Sequence, residues 1–424
     1  MKNNLAVIVL AAGRGERMKS TLPKVLHPIC GRPMLGYLLD LVKELGVSRP
    51  IPVLGYKYRE VKKLLPAGMR FVIQRRLLGT ADAVRQALPR LVDFKGTVLI
   101  LHGDAPLLKR ETLEKLLKHH IKNNLDATVL TAKIDDACGY GRVLRDKYGN
   151  ISGIREDKDA DDFEKDIKEV NTGIICFKKE ALVPALRAVR PDNRKKEYYL
   201  TDTIGIIYRK GGLIESVTIK DVNESLGINS RLDLARANSI MQRRINEELM
   251  RQGVGIVDPG STFISYGTRI GPDTMIYPFT VIERDVKIGK KCAVGPFAHL
   301  KEGTLLKDEV VVGNFIEIVR SRISAKTWVK HFGYIGDALI GAKVNVGAGC
   351  VTANFDGLKK HRTVIGDGAF IGSDTVLVAP VKVGRASRTG AGAVVTKNNN
   401  IPSGVTVVGV PARPLKKKSR GING

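Results

Sequence analysis

The sequence predicts an α/β domain with a largely parallel sheet, a connecting helix and then a parallel β-helix. Three observations predict it. Short apolar runs alternate with amphipathic ones over the first ~230 residues, a helical period follows, and aliphatic residues then recur every six positions. The 424 residues are roughly three times the ~150 of an ordinary domain, so one small domain is excluded.

In order, segments 6–10, 33–45, 51–55, 58–65, 71–73, 80–91 and 97–101 read as strand, helix, strand, helix, strand, helix and strand. Such sheets bind ligands at the carboxyl ends of their strands. From Ser230, Leu232, Leu234, Ala237, Ile240, Met241, Ile245 and Leu249 keep a helical period that Gly253 closes. Beyond it Ile264, Ile270, Ile276, Ile282, Ile288, Val294, Leu300, Leu306, Val312 and Ile318 lie six apart, with Gly271, Gly289, Gly295 and Gly313 each following one of them. This period implies three short strands per turn, one inward aliphatic per strand, and glycine where the chain corners. The phase shifts after Ile318, through Ile340 and Val346, and resumes at Ile365, Ile371, Leu377, Val383, Thr389, Val395, Ile401 and Val407. Residues 352–364 break the repeat and are expected to leave the coil as a loop. The expected boundaries are 1–229, 230–253, 254–411 and a solvated basic tail 412–424.

The net charge of +27 implies anionic partners, whereas 5% aromatic residues and the lack of any nucleic-acid motif argue against nucleic acid. Five scattered cysteines without C-x-x-C spacing argue against a disulfide framework and a zinc site, and suit a reducing cytosol. The opening apolar run is too short for an export signal and no stretch of ~18 apolar residues occurs, so neither secretion nor a membrane span is expected.

After the first strand stands Leu10-Ala11-Ala12-Gly13-Arg14-Gly15-Glu16-Arg17-Met18, then Pro23-Lys24. A Gly-rich turn after a strand lets backbone N–H groups wrap a phosphate chain. It lacks the Gly-Lys-Ser/Thr of a Walker loop and the third glycine of G-x-G-x-x-G. Arg17 and Lys24 put two cations on a triphosphate, whose transfer needs chiefly positioning and charge neutralisation.

This motif resembles that of the nucleoside triphosphate:sugar-1-phosphate nucleotidyltransferases. With the repeat behind it, nearly the whole chain resembles the bacterial family that joins N-acetylglucosamine-1-phosphate uridyltransferase to glucosamine-1-phosphate N-acetyltransferase. Further landmarks are Gln74 with Leu78-Gly79-Thr80, Gly103-Asp104-Ala105-Pro106-Leu107, Gly139-Tyr140-Gly141-Arg142, Glu156, Asn171-Thr172-Gly173, residues 197–202 and Gly227-Ile228-Asn229-Ser230. The resemblance implies a Rossmann-like first domain and a left-handed β-helix. It places Leu10, Ala11, Ala12, Gly13, Lys24, Gln74, Gly79 and Thr80 on UTP, with Gln74 and the 79–80 backbone reading uracil. It puts Gly141, Glu156, Asn171 and Thr201 on the amino sugar, and Asp104 and Asn229 on Mg²⁺. The chain departs from the family's G-T-G-H-A at Gly79-Thr80-Ala81-Asp82-Ala83, and carries His102 where many relatives have Tyr.

In the repeat, Lys330-His331-Phe332-Gly333-Tyr334 is followed by Asn345, Ala348 and Asn354-Phe355. Amine acetylation needs a base of near-neutral pKa, and histidine suits it. The resemblance makes His331 that base, and places Lys301, Glu317, Tyr334, Asn345 and Lys360 at the sugar phosphate and its amine. Ala348, Asn354, Phe355, Ser373 and Ala391 fall along acetyl-coenzyme A, with Arg413 or the 416–418 lysine run as its basic contact. His27, His119, His120 and His361 read as structural. Two departures weaken the phosphate clamp: Lys301 replaces Arg, and Val319 replaces Lys. Arg320 is adjacent, but strand alternation sends it to the opposite face. The reading is therefore a bifunctional enzyme, assembled as a homotrimer through the β-helix. The alternative is a uridyltransferase whose β-helix is a trimerisation scaffold or acetylates another amino sugar.

Overall fold

A computed structural model describes residues 4–47 and 50–415; the 416–418 lysine run lies outside the described residues. The chain divides into two compact units, Met1–Ile240 and Met241–Gly424, and the boundary falls inside the helix Arg231–Arg251.

In the first unit the strand Leu5–Ala11 lies at the centre of the sheet, parallel to Ile51–Leu54 on one side and Thr97–His102 on the other. It is apolar at every position because both faces are covered: Ala6, Ile8 and Leu10 enter one core, Val7, Val9 and Ala11 the other. Across the sheet the order runs Ile214–Thr218, Ala127–Lys133, Glu169–Lys178, Thr97–His102, Leu5–Ala11, Ile51–Leu54, Val72–Ile73. Glu169–Lys178 runs antiparallel to both neighbours and carries the hairpin Gly141–Arg145 and Ile151–Arg155 at its edge. The sheet is thus largely parallel with one reversed strand, which brings Asn171 opposite Gly141.

The second unit is a left-handed parallel β-helix whose described residues form three sheets of ten, eight and seven strands. Every repeat aliphatic is buried: Ile276, Ile282, Val294, Leu300 and Ile318 are wholly inaccessible. Each stacks on its equivalent one turn on, as Ile264, Ile282, Leu300, Ile318 and Ile335 do on the second sheet. One such side chain contributes about 1.5–3 kcal/mol on burial.

The glycines that follow the repeat aliphatics do not, with one exception, mark the left-handed corners. Of these four, only Gly295 has a positive φ; the left-handed corners, six residues apart, belong to Gly267, Asp273, Phe279, Asp285, Lys291, Phe297, Gly303, Glu309 and Phe315. Gly271 is glycine for another reason: a Cβ there would come 2.7 Å from the backbone of Gly289 and Lys290 in the next turn. Lack of room, not backbone freedom, selects it.

The phase shift also has a structural cause. Ile323, Val329 and Ile335 are inward and buried although none fits the six-residue count from Ile318. The corners from the second to the third sheet, at Arg320 and Asp337, are one residue shorter, so those turns close in 17 residues: Ile318 stacks on Ile335 and Ile323 on Ile340. At the same corner of the next turn the chain leaves the coil, between the strands Cys350–Ala353 and Thr363–Ile365.

Candidate functional site

At the carboxyl ends of the central strands the first unit holds a cavity of about 690 Å³. Its lining includes Leu10, Ala11, Ala12, Gly13, Arg17, Lys24, Gln74, Gly79, Thr80, Asp104, Glu156 and Asn229, so the structure gathers most of the expected nucleotide site. Gly15 has φ 70°, and a Cβ on it would strike the Lys24 side chain; a side chain there is strained twice over. That close approach seats Lys24.

The Lys24 ammonium bridges the two expected metal ligands. It forms an ion pair with Asp104 and donates to Asn229 Oδ1 at 2.7 Å. The segment bearing Asn229 is held from both sides. Ile228 N–H donates to the Asp104 carbonyl at 3.0 Å, and the Asp233 carboxylate accepts from Asn229 and Ser230 N–H as the following helix begins. Burial pushes the Asp104 carboxyl up, but Lys24 and His102 outweigh it and hold it below the usual range. One carboxylate and one amide oxygen converging on a cation form a hard donor pair, which suits Mg²⁺ when phosphates supply the remaining oxygens. Among the described residues no group of three or more His, Cys, Asp or Glu is placed to hold a metal ion by itself.

Glu156, also on the cavity wall, accepts from the Thr201 hydroxyl at 2.9 Å, and burial raises its pKa. Gly141 adjoins it, since a Cβ there would lie 3.7 Å from Glu156 Oε2. Asn171, opposite Gly141, uses its Oδ1 to accept the Gly173 N–H at 2.9 Å. Gly141, Asn171 and Thr201 are not among the residues that line the cavity. The Thr80 hydroxyl faces the scaffold, accepting Leu200 N–H at 2.9 Å.

In the β-helix the register brings four expected residues into one column. Val329 stacks on Val346, Val346 on Ile371, and Phe370 on Arg388. His331, Ala348, Ser373 and Ala391 therefore occupy equivalent places at the corner between the first and second sheets. The histidine is exposed and in line with three small residues. Asn345 precedes the same corner on the strand Asn345–Val346.

Tyr334 pairs with Glu317 on the neighbouring turn, and Lys301 Nζ reaches Glu317 at 3.3 Å. At the far end of these strands lies a network the sequence did not announce. Arg320 grips both Asp337 oxygens at 2.7 Å, and Asn354 bonds Asp337 and reaches the Tyr334 hydroxyl at 3.4 Å. Arg320, with Lys360 near enough to help, holds the Asp337 carboxyl below its usual range. The expectation that Arg320 turns away from the site is therefore corrected. Alternation applies within a strand, and this strand ends at Val319; Arg320 sits beyond it at a left-handed corner, φ 45°. Val319 itself is buried. Phe355 is exposed on the excursion loop, and Arg413 lies on the strand Arg413–Pro414 beside Val408.

Of the histidines read as structural, His120 is buried on Thr128 at 2.9 Å, and burial lowers its pKa to about 4. His27 is likewise buried. All five cysteines are unpaired, and among the described residues no helix is long and apolar enough to cross a membrane.

A nucleotide cavity at strand ends and a histidine column on a hexapeptide coil define a two-domain transferase, one domain for nucleotidyl transfer and one for acyl transfer. Residues 7–199 match the family model of the MobA-like NTP transferase domain, and 267–302 and 362–397 match that of the bacterial transferase hexapeptide (six repeats). The chain is similar to the bifunctional protein GlmU of Geobacillus thermodenitrificans, at 42% identity over 97% of this chain and 96% of that one. Its identity to the GlmU of Heliobacterium modesticaldum is 43%, over 98% and 97%, and to that of Thermosipho africanus 43%, over 93% and 92%. The chain belongs to the bifunctional GlmU family, and its domains carry uridyltransferase and acetyltransferase activity.

Proposed function

We propose that the chain makes UDP-N-acetylglucosamine in two steps: acetyl transfer from acetyl-coenzyme A to glucosamine-1-phosphate, then uridylyl transfer from UTP with release of pyrophosphate. The observation that carries this reading is the junction of Lys24 with Asp104 and Asn229 inside a cavity rimmed by the Gly-rich turn. In the uridylyl step a sugar-phosphate oxygen attacks the α-phosphorus of UTP, and the bond to the β-phosphate oxygen breaks. Arg17 and Lys24 supply positive charge to the departing pyrophosphate, while Glu156, held by Thr201 beside Gly141 and Asn171, receives the sugar hydroxyls. Asp104 and Asn229 are the residues that would hold Mg²⁺. When bound, that ion neutralises phosphate charge.

In the acetyl step His331 takes a proton from the substrate amine, whose nitrogen attacks the thioester carbonyl; the carbon–sulfur bond breaks and coenzyme A leaves as its thiol. Ala348, Ser373 and Ala391 leave space along the column for the pantetheine arm, with Asn354 and Phe355 at its side. Lys301, Tyr334, Asn345 and Lys360 face the sugar phosphate, and Glu317 lies near the amine. Arg413 is the described candidate for the basic contact to coenzyme A. The working unit is a cytosolic homotrimer, which the unpaired thiols and the hexapeptide coil suit.

Two single variants test the assignment. Asp104→Ala should abolish Mg²⁺-dependent pyrophosphate release and spare thiol release from acetyl-coenzyme A. His331→Ala should do the reverse, lowering acetyl transfer by about 10²–10⁴-fold. Loss of both activities in either variant would defeat the division of labour.

A further inference from the structure

Gln74 lies on the wall of the nucleotide cavity, almost wholly buried. Its amide Nε2 donates to the Gly79 carbonyl at 3.0 Å and to Asp82 Oδ2 at 2.8 Å. A carbonyl and a carboxylate can only accept, so chemistry alone fixes which way round the amide stands. With both N–H groups engaged, Oε1 is the atom Gln74 presents to a ligand, and among the described residues no group donates to it. Asp82 is itself set in place: it stands in the first turn of the helix Thr80–Ala87, and Gln86 Nε2 reaches its other oxygen at 3.4 Å. Position 82 is also one of the two, with Ala81, at which the chain leaves its family's usual G-T-G-H-A.

We propose that Asp82 is a positioning residue for base selection: it locks the Gln74 amide with its oxygen toward the nucleobase, so the site takes a base that offers N–H there. Uracil and thymine offer N3–H. Cytosine in the same pose turns a lone pair toward Oε1, and the lock prevents the amide from flipping to accommodate it. The asymmetry is strong because a site built around a fixed acceptor leaves buried polar atoms unpaired when the wrong base enters. The proposal rests on the reading of this cavity as the UTP site.

The test measures pyrophosphate release by the full chain with UTP and with CTP. Asp82→Asn keeps the size of the side chain but can donate as well as accept, so Gln74 is free to turn. The ratio of kcat/KM for CTP to that for UTP should rise about tenfold, the scale of one hydrogen bond, chiefly through KM, with kcat for UTP little changed. Asp82→Glu, which still only accepts, should retain the preference. An unchanged ratio in Asp82→Asn, or an equal rise in Asp82→Glu, would overturn the proposal. Gln74→Ala separates the two readings. If it erases discrimination while Asp82→Asn does not, positioning by Asp82 falls and the UTP site stands; if it leaves discrimination intact, the nucleotide reading falls and the proposal with it.

Discussion

At the scale of single residues, both sites turn on how a charge is held. Lys24 is useful because Gly15 lets it approach and because Asp104 and Asn229 anchor its ammonium among the groups it must serve. Arg320 is the counterpart in the β-helix. It grips Asp337, whose other partner Asn354 reaches the Tyr334 hydroxyl, and we propose that it supplies the cation that Val319 does not. Asp337 neutralises part of that charge but also fixes the guanidinium, and a pre-organised fork loses less entropy on meeting a phosphate. Arg320→Ala should therefore raise the KM for glucosamine-1-phosphate in acetyl transfer about tenfold, near the low end of the ~1.5–3 kcal/mol for a charge-assisted hydrogen bond, with kcat nearly constant. A KM within twofold of the parent would remove Arg320 from the clamp. The sequence showed the arginine but not its place, because alternation was carried past the end of a strand into a corner.

At the scale of elements, the repeat shows what a period does and does not encode. The inward ladder from Ile264 to Ile318 was legible because one buried position in every six must be apolar. Two features were not. Ile323, Val329 and Ile335 fell out of phase because two corners are one residue shorter, and a count at fixed spacing cannot see a corner. The glycines were visible, but whether they serve a left-handed backbone or a close approach depends on the next turn, 18 residues away. The first sheet posed the opposite case: continuous apolar runs announced two covered faces, while the reversal of Glu169–Lys178 left no trace in its composition. The two glycine roles make a prediction. Gly271→Ala, which drives a methyl group into the backbone of Gly289 and Lys290, should destabilise the coil by about 2–3 kcal/mol. Gly368→Ala has φ 68° and open space around the added methyl, so its penalty should be the ~1–2 kcal/mol of a left-handed non-glycine residue. Urea midpoints on the two variants compare them, and a milder effect at 271 than at 368 would contradict the close-approach account.

At the scale of the whole molecule, the two sites differ in how complete one chain makes them. The uridylyl cavity is closed in by groups from one unit: the Gly-rich turn, Gln74, Glu156 and the Lys24 junction all face the same space. The acetyl site is open. His331 is exposed, and among the described residues no side chain holds it by a hydrogen bond or ion pair; a general base needs an orienting partner and a wall against water to work well. The coil also leaves an apolar stripe in the open, Phe279, Phe297 and Phe315, stacked 4.9 Å apart and each roughly half exposed. Exposed stacks of this kind mark association surfaces, and a hexapeptide coil that trimerises would complete each His331 corner with a neighbouring chain. The two activities should then respond differently to dilution. As protein concentration falls below that needed for assembly, specific acetyl transfer should drop with the trimer fraction seen by sedimentation, while specific pyrophosphate release stays constant. Equal dilution curves, or full acetyl transfer by a monomer, would mean that one chain builds the acetyl site alone.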